Sequence, residues 1–206
     1  MTEDEARAAV ESIVGTPVMP ALDRFADRIR RESGEQNLVA RATLDTFWLR
    51  HMLDSAQLLP LAPASINSWI DVGTGAGFPG MVVALARDIP VVLVEPRRMR
   101  ASFLQQVIED EGLSHRITVH QCKVERVAAT IASVISARAV AALADLFAST
   151  AHLANDETVY LLPKGQSATT EMSDARRRYA GLFHVEQSRT EPTSGIIVAS
   201  GVRKHR

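Results

Sequence analysis

The stretch WIDVGTGAGFPGMVVALA, residues 69–86, decides the fold class. It opens with WIDV, whose apolar and β-branched residues are typical of a buried strand, and it closes with an apolar run typical of a helix. Four glycines and a proline lie between the two. Glycine lets the backbone adopt a positive φ and approach a ligand closely, and the first turn of the following helix leaves N–H groups free. The stretch therefore predicts a strand, a nucleotide-binding turn and a helix.

The spacing of the glycines alone does not identify the nucleotide. Asp71, Gly73, Gly75 and Gly77 form D-x-G-x-G-x-G, but residues 75–80 also match G-x-G-x-x-G, the dinucleotide fingerprint. A dinucleotide places its pyrophosphate at the helix N-terminus, where an acid two residues ahead of the glycines would repel it. S-adenosylmethionine carries an ammonium and a sulfonium, which Asp71 suits, directly or through water. We therefore expect S-adenosylmethionine here, and an NAD-linked oxidoreductase is the alternative enzyme.

An acid at the end of the second predicted strand supports nucleoside binding. Glu95 lies 22 residues after Gly73 (95 − 73), where both cofactor classes place a carboxylate on ribose hydroxyls. The turn and this acid together predict a set of cofactor contacts. That set is Asp71, Gly73, Thr74, Gly75, Gly77 and Glu95.

Five short apolar runs alternate with helical segments of about a dozen residues, which is typical of βαβ units in a parallel sheet. The runs are WIDV (69–72), PVVLVE (90–95), RITVHQ (116–121), SVISA (133–137) and TVYLLP (158–163). Two further runs, FHVEQSRT (183–190) and SGIIVASGV (194–202), are separated by only three residues, which suits an antiparallel hairpin. This is the α/β, Rossmann-like arrangement of class I S-adenosylmethionine-dependent methyltransferases: a mostly parallel seven-stranded sheet with a terminal hairpin.

Helices are expected before this sheet. Thr2 and Glu5 form a capping box that starts the first helix, and Gly15 ends it. A second helix is predicted over residues 20–31, and a third follows Thr43. The apolar stripe predicted for the third helix consists of Leu44, Phe47, Trp48, Met52, Ala56 and Leu59.

The composition is that of an ordinary globular protein: 46% of the 206 residues are hydrophobic and 23% are charged. We expect one domain over residues 1–206, with a helical extension (1–64) and a cofactor-binding core (65–206). The net charge of −1 and the pI near 6.6 do not indicate a basic protein, so any RNA surface must be local. The acidic N-terminus and the lack of a long apolar run predict a cytoplasmic protein without membrane contact. Cys122, the single cysteine, indicates neither a disulfide nor a metal site.

Four segments carry a resemblance to a known family. They are NLVARATLDTFWLRHMLDSAQL (37–58), WIDVGTGAGFPG (69–80), SARAVAAL (136–143) and PKGQ (163–166). Together they resemble the bacterial ribosomal small-subunit RNA guanine-N7 methyltransferase G family, also called glucose-inhibited division protein B. The resemblance runs from about Asn37 to the C-terminus. It implies S-adenosylmethionine as cofactor and N7 of a guanine in 16S ribosomal RNA as acceptor. The family's cofactor positions fall on Gly73, Phe78, Val124, Glu125 and Arg138.

A group of arginines follows the second predicted strand. Arg97, Arg98 and Arg100 lie at the start of a helix, where the helix dipole disfavours each cation by roughly 0.3–1 kcal/mol. This placement favours an anionic partner such as RNA phosphate. The alternative is a solvated face, because Glu109, Asp110 and Glu111 are placed equally unfavourably at the other end. Met99 stands where the family commonly has a basic residue.

Two cations close the fourth and fifth predicted strands. Because ligands of open α/β sheets gather at the carboxyl ends of the strands, Arg138 and Lys164 should point toward the cleft. We expect Arg138 to hold cofactor or RNA and Lys164 to meet a phosphate. For either residue the alternative is an ion pair, and the candidate partners are Asp71, Glu95 and Glu125.

His51 and Asp54 lie on or beside the apolar stripe of the third predicted helix. Polar groups in such a position are usually hydrogen-bonded, so we expect this pair mainly to brace the helix. No catalytic residue is expected, because N7 of guanine has a free lone pair and loses no proton on methylation. The expected partner is small-subunit ribosomal RNA or the assembling subunit, bound by a monomer. A third hypothesis is a ribosome-binding protein that keeps the cofactor turn without turnover.

Overall fold

A computed structural model describes residues 1–205, which form a seven-stranded sheet in the order β3-β2-β1-β4-β5-β7-β6. The strands are β1 (Trp69–Val72), β2 (Val91–Val94), β3 (Ile117–His120), β4 (Val134–Ala137), β5 (Val159–Lys164), β6 (Tyr179–Gln187) and β7 (Gly195–Lys204). Strands β1 to β5 run parallel, and β7 pairs antiparallel with both β5 and β6. The predicted class I methyltransferase arrangement is confirmed. The first strand of the hairpin begins at Tyr179, four residues before its predicted start (183 − 179).

Helices cover both faces of this sheet. They are α1 (Glu3–Val14), α2 (Met19–Glu32), α3 (Asp54–Ala56), α4 (Gly80–Ala86), α5 (Arg98–Asp110), α6 (Leu143–Thr150) and α7 (Ala168–Arg176). Trp69 of β1 packs in one hydrophobic cluster with α1, α2, α4 and α5, whereas Ile70 and Val72 pack in a second cluster with α6 and α7. Successive side chains of a strand point to opposite faces, which explains why the parallel strands are apolar throughout. Within residues 1–205, none of the helices has the length and apolar character needed to cross a membrane.

The first two helices form as their sequence predicts. The Thr2 hydroxyl accepts from the Glu5 amide, and the Glu5 carboxylate accepts from the Thr2 amide, which completes the capping box. The α1 helix then ends at Gly15 with a φ of 88°, in the region that favours glycine. The apolar face of α2 is buried in the cluster that contains Trp69. The helical extension therefore shares its core with the cofactor-binding part.

The third predicted helix differs from its prediction. Instead of one continuous α-helix, the chain forms a π-helical segment (Trp48–Leu53) that leads into α3. The carboxylate of Glu3 in α1 accepts the backbone N–H groups of Trp48 (2.8 Å) and Leu49 (2.9 Å) and so caps the start of this segment. Most of the predicted stripe is buried nonetheless, including Met52, which has no exposed surface. Turns of π-helix are often found at functional sites.

Replacing Glu3 with glutamine tests this cap. A glutamine side chain offers one acceptor oxygen instead of a carboxylate, so it cannot satisfy both amides with charge-assisted bonds. We expect E3Q to lower the free energy of unfolding by about 1 kcal/mol, as measured by urea denaturation. Asp4→Asn removes the same charge from the same turn of α1 and serves as the control. Equal losses in the two variants would mean that the cap adds nothing.

Candidate functional site

The glycine turn between β1 and α4 has the backbone geometry that its sequence predicts. Gly73, Gly75 and Gly77 have φ values of 65°, 62° and 105°, in the region that favours glycine. The amides of Gly73 and Thr74 both donate to the carbonyl of Val94, at 2.8 and 3.1 Å. The turn is therefore fixed to the carboxyl end of β2.

A cavity of about 570 Å³ opens beside this turn, at the carboxyl ends of the central strands. Its size falls within the range of small-molecule sites. It brings together the turn, the acid after β2 and three positions expected only from the family resemblance. Ten predicted residues line it: Gly73, Thr74, Gly75, Phe78, Glu95, Arg97, Arg100, Val124, Glu125 and Arg138.

Glu95 forms the acidic part of the cavity wall. Only 3% of the residue is exposed, and its carboxylate accepts the backbone N–H of Gly75 (2.9 Å) and of Arg97 (2.8 Å). Each oxygen keeps a lone pair after these bonds. The carboxylate is thus oriented by the backbone and can still accept from a ligand hydroxyl.

Arg138, which follows β4, is held by residues from the N-terminal part of the chain. Its Nη1 donates to Oδ2 of Asp54 (2.9 Å) and to the carbonyl of Arg50 (3.2 Å). Its guanidinium lies 5.3 Å from the centre of the Phe78 ring. The expected alternative of an ion pair is therefore present, but the partner is Asp54 and not one of the three acids considered from the sequence.

The imidazole of His51 also lines the first cavity, and it is neutral. Burial, together with the positive charges of Arg138 and Arg50, lowers the pKa of His51 to about 3. Its Nδ1 lies 3.4 Å from Nη2 of Arg138, which can only donate, so the proton of His51 belongs on Nε2. Nε2 lies 2.8 Å from Oγ1 of Thr43, whose hydroxyl donates onward to a backbone carbonyl. His51 and Asp54 thus each contact Arg138, which extends the bracing role expected from the sequence.

Comparisons with known proteins agree on the family of this chain. A family model described as rRNA small subunit methyltransferase G matches residues 19–193. The chain belongs to the rRNA small subunit methyltransferase G family. Ribosomal RNA small subunit methyltransferase G of Rhizorhabdus wittichii is 42% identical, over 98% of this chain and 94% of that protein. The protein of the same name from Zymomonas mobilis is 39% identical, over 98% of this chain and 95% of that protein.

Solved structures support the fold of this family member. A crystal structure of an MtNAS variant in complex with S-adenosylmethionine has a TM-score of 0.59 at 13% identity and covers 88% of this chain and 71% of that one. A predicted O-methyltransferase from Agrobacterium tumefaciens has a TM-score of 0.56 at 20% identity, covering 74% of this chain and 81% of that one. At these identities the likeness concerns the fold alone.

In this methyltransferase G family member, two of the three arginines that follow β2 line the first cavity and the third faces solvent. Arg97 and Arg100 line the cavity, and Nη2 of Arg100 donates to the carbonyl of Asn37 (2.9 Å). Burial and the neighbouring charge of Arg97 lower the pKa of Arg100. Arg98 lies outside the cavity wall and is exposed, as is Met99, which is 63% exposed. Two of the three predicted cations are therefore at the cavity.

The structure corrects the expected position of Asp71. This carboxylate is fully buried and does not line the cavity. Oδ1 accepts from the Ser136 hydroxyl (2.6 Å), and Oδ2 accepts from the backbone N–H of Gly80 (2.8 Å). The Ser136 hydroxyl in turn accepts from the Trp69 indole (2.8 Å). Asp71 therefore holds β1, β4 and the start of α4 together and does not reach a cation in the cavity.

Gly77 and Lys164 also lie away from the first cavity. A Cβ on Gly77 would lie 2.8–3.0 Å from side chains of α2, α4 and α5, so this glycine permits close helix packing. Nζ of Lys164 donates to the carbonyl of Ala141 (2.8 Å) and pairs with Oε2 of Glu171 (2.7 Å). Only 11% of the lysine side chain is exposed. Lys164 is therefore already paired and is not free to meet a phosphate.

A second cavity, of about 840 Å³, was not predicted from the sequence. It adjoins the first cavity at Arg138 and is also lined by Asp54 and Lys164. Two family segments could have indicated this cavity, because they carry Asp54 and Arg138, which form an ion pair in its wall. These segments are RHMLDS (50–55) and SARAVAAL (136–143). Across residues 1–205, neither cavity contains a His, Cys, Asp or Glu group arranged to hold a metal ion.

The pKa of Asp71 provides a test of its structural role. Burial raises this pKa to about 6, although the hydrogen bonds from Ser136 and Gly80 act in the opposite direction. Between about pH 4 and pH 6 the native state then binds a proton that the unfolded state does not bind. The free energy of unfolding should consequently fall as the pH rises through this window, by about 3 kcal/mol in total.

Asp71→Asn lacks this titration but keeps only one acceptor for the two donors, so it should be less stable than the parent at pH 4 and should not show the parent's decline toward pH 7. Urea denaturation of both proteins from pH 4 to pH 7 measures the difference. Parallel stability curves for the two proteins would contradict the raised pKa.

Proposed function

We propose that this chain transfers the methyl group of S-adenosylmethionine to N7 of a guanine in 16S ribosomal RNA. The observation that carries the proposal is the first cavity, in which the glycine turn, Glu95 and Arg138 meet in a member of the rRNA small subunit methyltransferase G family. The acceptor atom comes from the family resemblance. The substrate is small-subunit RNA, free or in the assembling particle, and the protein acts on it as a cytoplasmic monomer.

The residues of the first cavity fit a sulfonium nucleoside. A Cβ on Gly75 would have only Arg100 within van der Waals distance (3.6 Å) besides its own turn, so the missing side chain leaves room for a ligand against the backbone. Glu95 offers free lone pairs to ribose hydroxyls. When bound, S-adenosylmethionine supplies an electrophilic methyl group. The residues proposed to hold it are Gly73, Thr74, Gly75, Phe78, Glu95, Val124, Glu125 and Arg138.

Methylation at N7 does not require the protein to remove a proton from the base. The nitrogen attacks with its lone pair and loses no proton, so the task of the chain is to position the base and exclude water. Charge matters more, because the donor is a cation and the methylated guanine becomes one. The cavity wall suits this requirement. The charge of Arg138 is compensated by Asp54 at 2.9 Å, and His51 is neutral above about pH 3.

RNA phosphates are proposed to meet the arginines at and beside the first cavity. Arg97 and Arg100 line it, and Arg98 lies beside them at the start of α5. Of the cations predicted from the sequence, Lys164 is left out of this role because its ammonium is paired with Glu171. Affinity for RNA should therefore depend on a few local contacts, which agrees with a net charge of −1.

Calorimetry separates this proposal from the oxidoreductase alternative. We expect the purified protein to bind S-adenosylmethionine and to give no heat with NAD. Glu95→Gln should weaken binding of the methyl donor by about tenfold, since a hydrogen bond to a charged group contributes roughly 1.5–3 kcal/mol. Tight NAD binding together with no response to S-adenosylmethionine would contradict the proposal.

Mapping of N7-methylguanine in ribosomal RNA tests the reaction in cells. We expect one modified guanine in small-subunit RNA that disappears when the gene is deleted and returns when it is restored. A protein that binds ribosomes without turnover would leave the modification pattern identical in all three strains.

A further inference from the structure

The second cavity, of about 840 Å³, has no role in the function proposed so far. We propose that it binds the target guanine nucleotide, with the base directed toward Arg138 and the first cavity. This inference rests on the proposed function and names the acceptor site for that reaction.

The two cavities share a wall. Five residues line both of them: His51, Arg138, Ala139, Val140 and Ala141. Methyl transfer requires the reacting atoms to come within about 3–3.5 Å of each other in line. An acceptor base must therefore enter from a space that adjoins the donor site, and the second cavity adjoins it across this wall.

Of the three acids that line the second cavity, Glu191 has the longest and most exposed contacts. Asp54 accepts from Arg138, Gln57 and Thr190, and Glu171 is paired with Lys164 and accepts from Ser167. Within residues 1–205, Glu191, in the loop between β6 and β7, makes a long contact of 3.8 Å to Arg50 and accepts from the amide (3.4 Å) and hydroxyl (3.2 Å) of Thr193, both at Oε1. Both side chains of the Arg50–Glu191 pair are more than 40% exposed, so this pair is weak and easily exchanged.

A guanine base can donate two hydrogen bonds to the carboxylate of Glu191. Its N1–H and N2–H groups form two parallel donors on the edge opposite N7, and a carboxylate accepts both. Adenine presents an acceptor at N1 and cytosine presents one at N3, so both would be repelled by Glu191. Binding of guanine to Glu191 would also release Arg50 for a phosphate. The cavity thus offers an acceptor for the base and a cation for the backbone.

The shape of the second cavity is fixed by bonds between distant parts of the chain. The hydroxyl of Thr190 donates to Oδ1 of Asp54 (2.9 Å), and the amide of Arg189 donates to Oε1 of Gln57 (2.8 Å). The hairpin loop is therefore tied to α3 and to the residue that follows it. A site fixed in this way is largely formed before its ligand arrives.

A cavity-filling variant tests the site. Ala142 is exposed and lines only the second cavity, so Ala142→Trp should fill part of it. Ala129→Trp introduces the same side chain at an exposed position outside both cavities and is the control. The probe is guanosine 5′-monophosphate, observed by ligand-detected NMR in the presence of S-adenosylhomocysteine. Calorimetry with S-adenosylmethionine checks that each variant keeps a folded first cavity.

We expect A142W to lose nucleotide binding and to raise KM for RNA by at least about tenfold, with affinity for S-adenosylmethionine within twofold of the parent. A129W should match the parent in all three measurements. Glu191→Gln should reduce the preference for guanosine over adenosine monophosphate by about tenfold. Equal binding of guanosine monophosphate by the parent and A142W would overturn the assignment of this cavity.

The two proposals fail in different ways. If the parent methylates RNA and A142W does so with unchanged KM, the acceptor site is wrong while the proposed function stands. If the parent transfers no methyl group to any RNA but A142W still abolishes binding of guanosine monophosphate, the guanine site stands and the proposed function is wrong.

Discussion

Arg138→Ala is expected to lower kcat/KM for methyl transfer by about 100-fold, which corresponds to about 3 kcal/mol. Arg138 lines both cavities, and its guanidinium contacts Asp54, the carbonyl of Arg50 and the Phe78 ring. Its loss would leave the Asp54 carboxylate, which is 18% exposed, without its cation beside the wall that the two cavities share. Arg138→Lys keeps the charge but offers no planar fork, so it should recover only part of the activity. Steady-state kinetics with small subunits measures the effect.

A double-mutant cycle with Asp54→Asn identifies the cause of this loss. If the ion pair positions Arg138, each single variant should lose much of kcat/KM. Expressed as activation free energy, the loss in the double variant should then be much smaller than the sum of the two single losses. Affinity for S-adenosylmethionine should fall less in D54N than in R138A, because Asp54 does not line the first cavity. Additive losses would show that Arg138 acts independently of Asp54.

Gly80→Ala is expected to lower the free energy of unfolding by about 3 kcal/mol. A Cβ at Gly80 would lie 2.3 Å from Cδ2 of Leu93 and 2.7 Å from Oδ2 of Asp71. Neither neighbour can withdraw, because Leu93 is fully buried in the core and Asp71 bonds the Gly80 amide itself. The substitution should therefore separate α4 from β1 and β2. Urea denaturation measures the change.

Two other glycines serve as controls for Gly80. Gly165 has open space around its Cβ position and an ordinary φ, so G165A should have little effect on stability. Gly112 also has open space but a φ of 68°, so G112A should show only the cost of backbone strain, about 1 kcal/mol. A loss in G80A no greater than that in G112A would contradict steric packing at the start of α4.

The sheet could be predicted because its signal is local. Strands buried on both faces need continuous apolar runs, and each run is separated from the next by enough residues for a helix. The π-helical segment could not be predicted in the same way. Its start is fixed by Glu3, 45 residues from Trp48, and nothing in the pattern near Trp48 reports that contact. A contact between distant residues overrides the local helical preference there.

The site shows the same division between local and distant information. The turn and Glu95 were predicted because glycine spacing and the position after β2 are local features. The predicted contact of Asp71 with the cofactor is wrong because the charge of a side chain does not give its direction. Strand alternation puts Asp71 on the same face as Trp69, which is fully buried against the helices, so this signal was available. The pairing of Arg138 with Asp54 joins residues 84 positions apart and required the fold.

The most direct test of the proposed reaction is transfer of a labelled methyl group from S-adenosylmethionine to purified small ribosomal subunits, followed by identification of the modified base. We predict that the label enters 16S RNA and is recovered as 7-methylguanine, and that R138A reduces the rate by about 100-fold. Label recovered in another base, or no label in RNA from a protein that binds S-adenosylmethionine, would contradict methyl transfer to N7 of guanine.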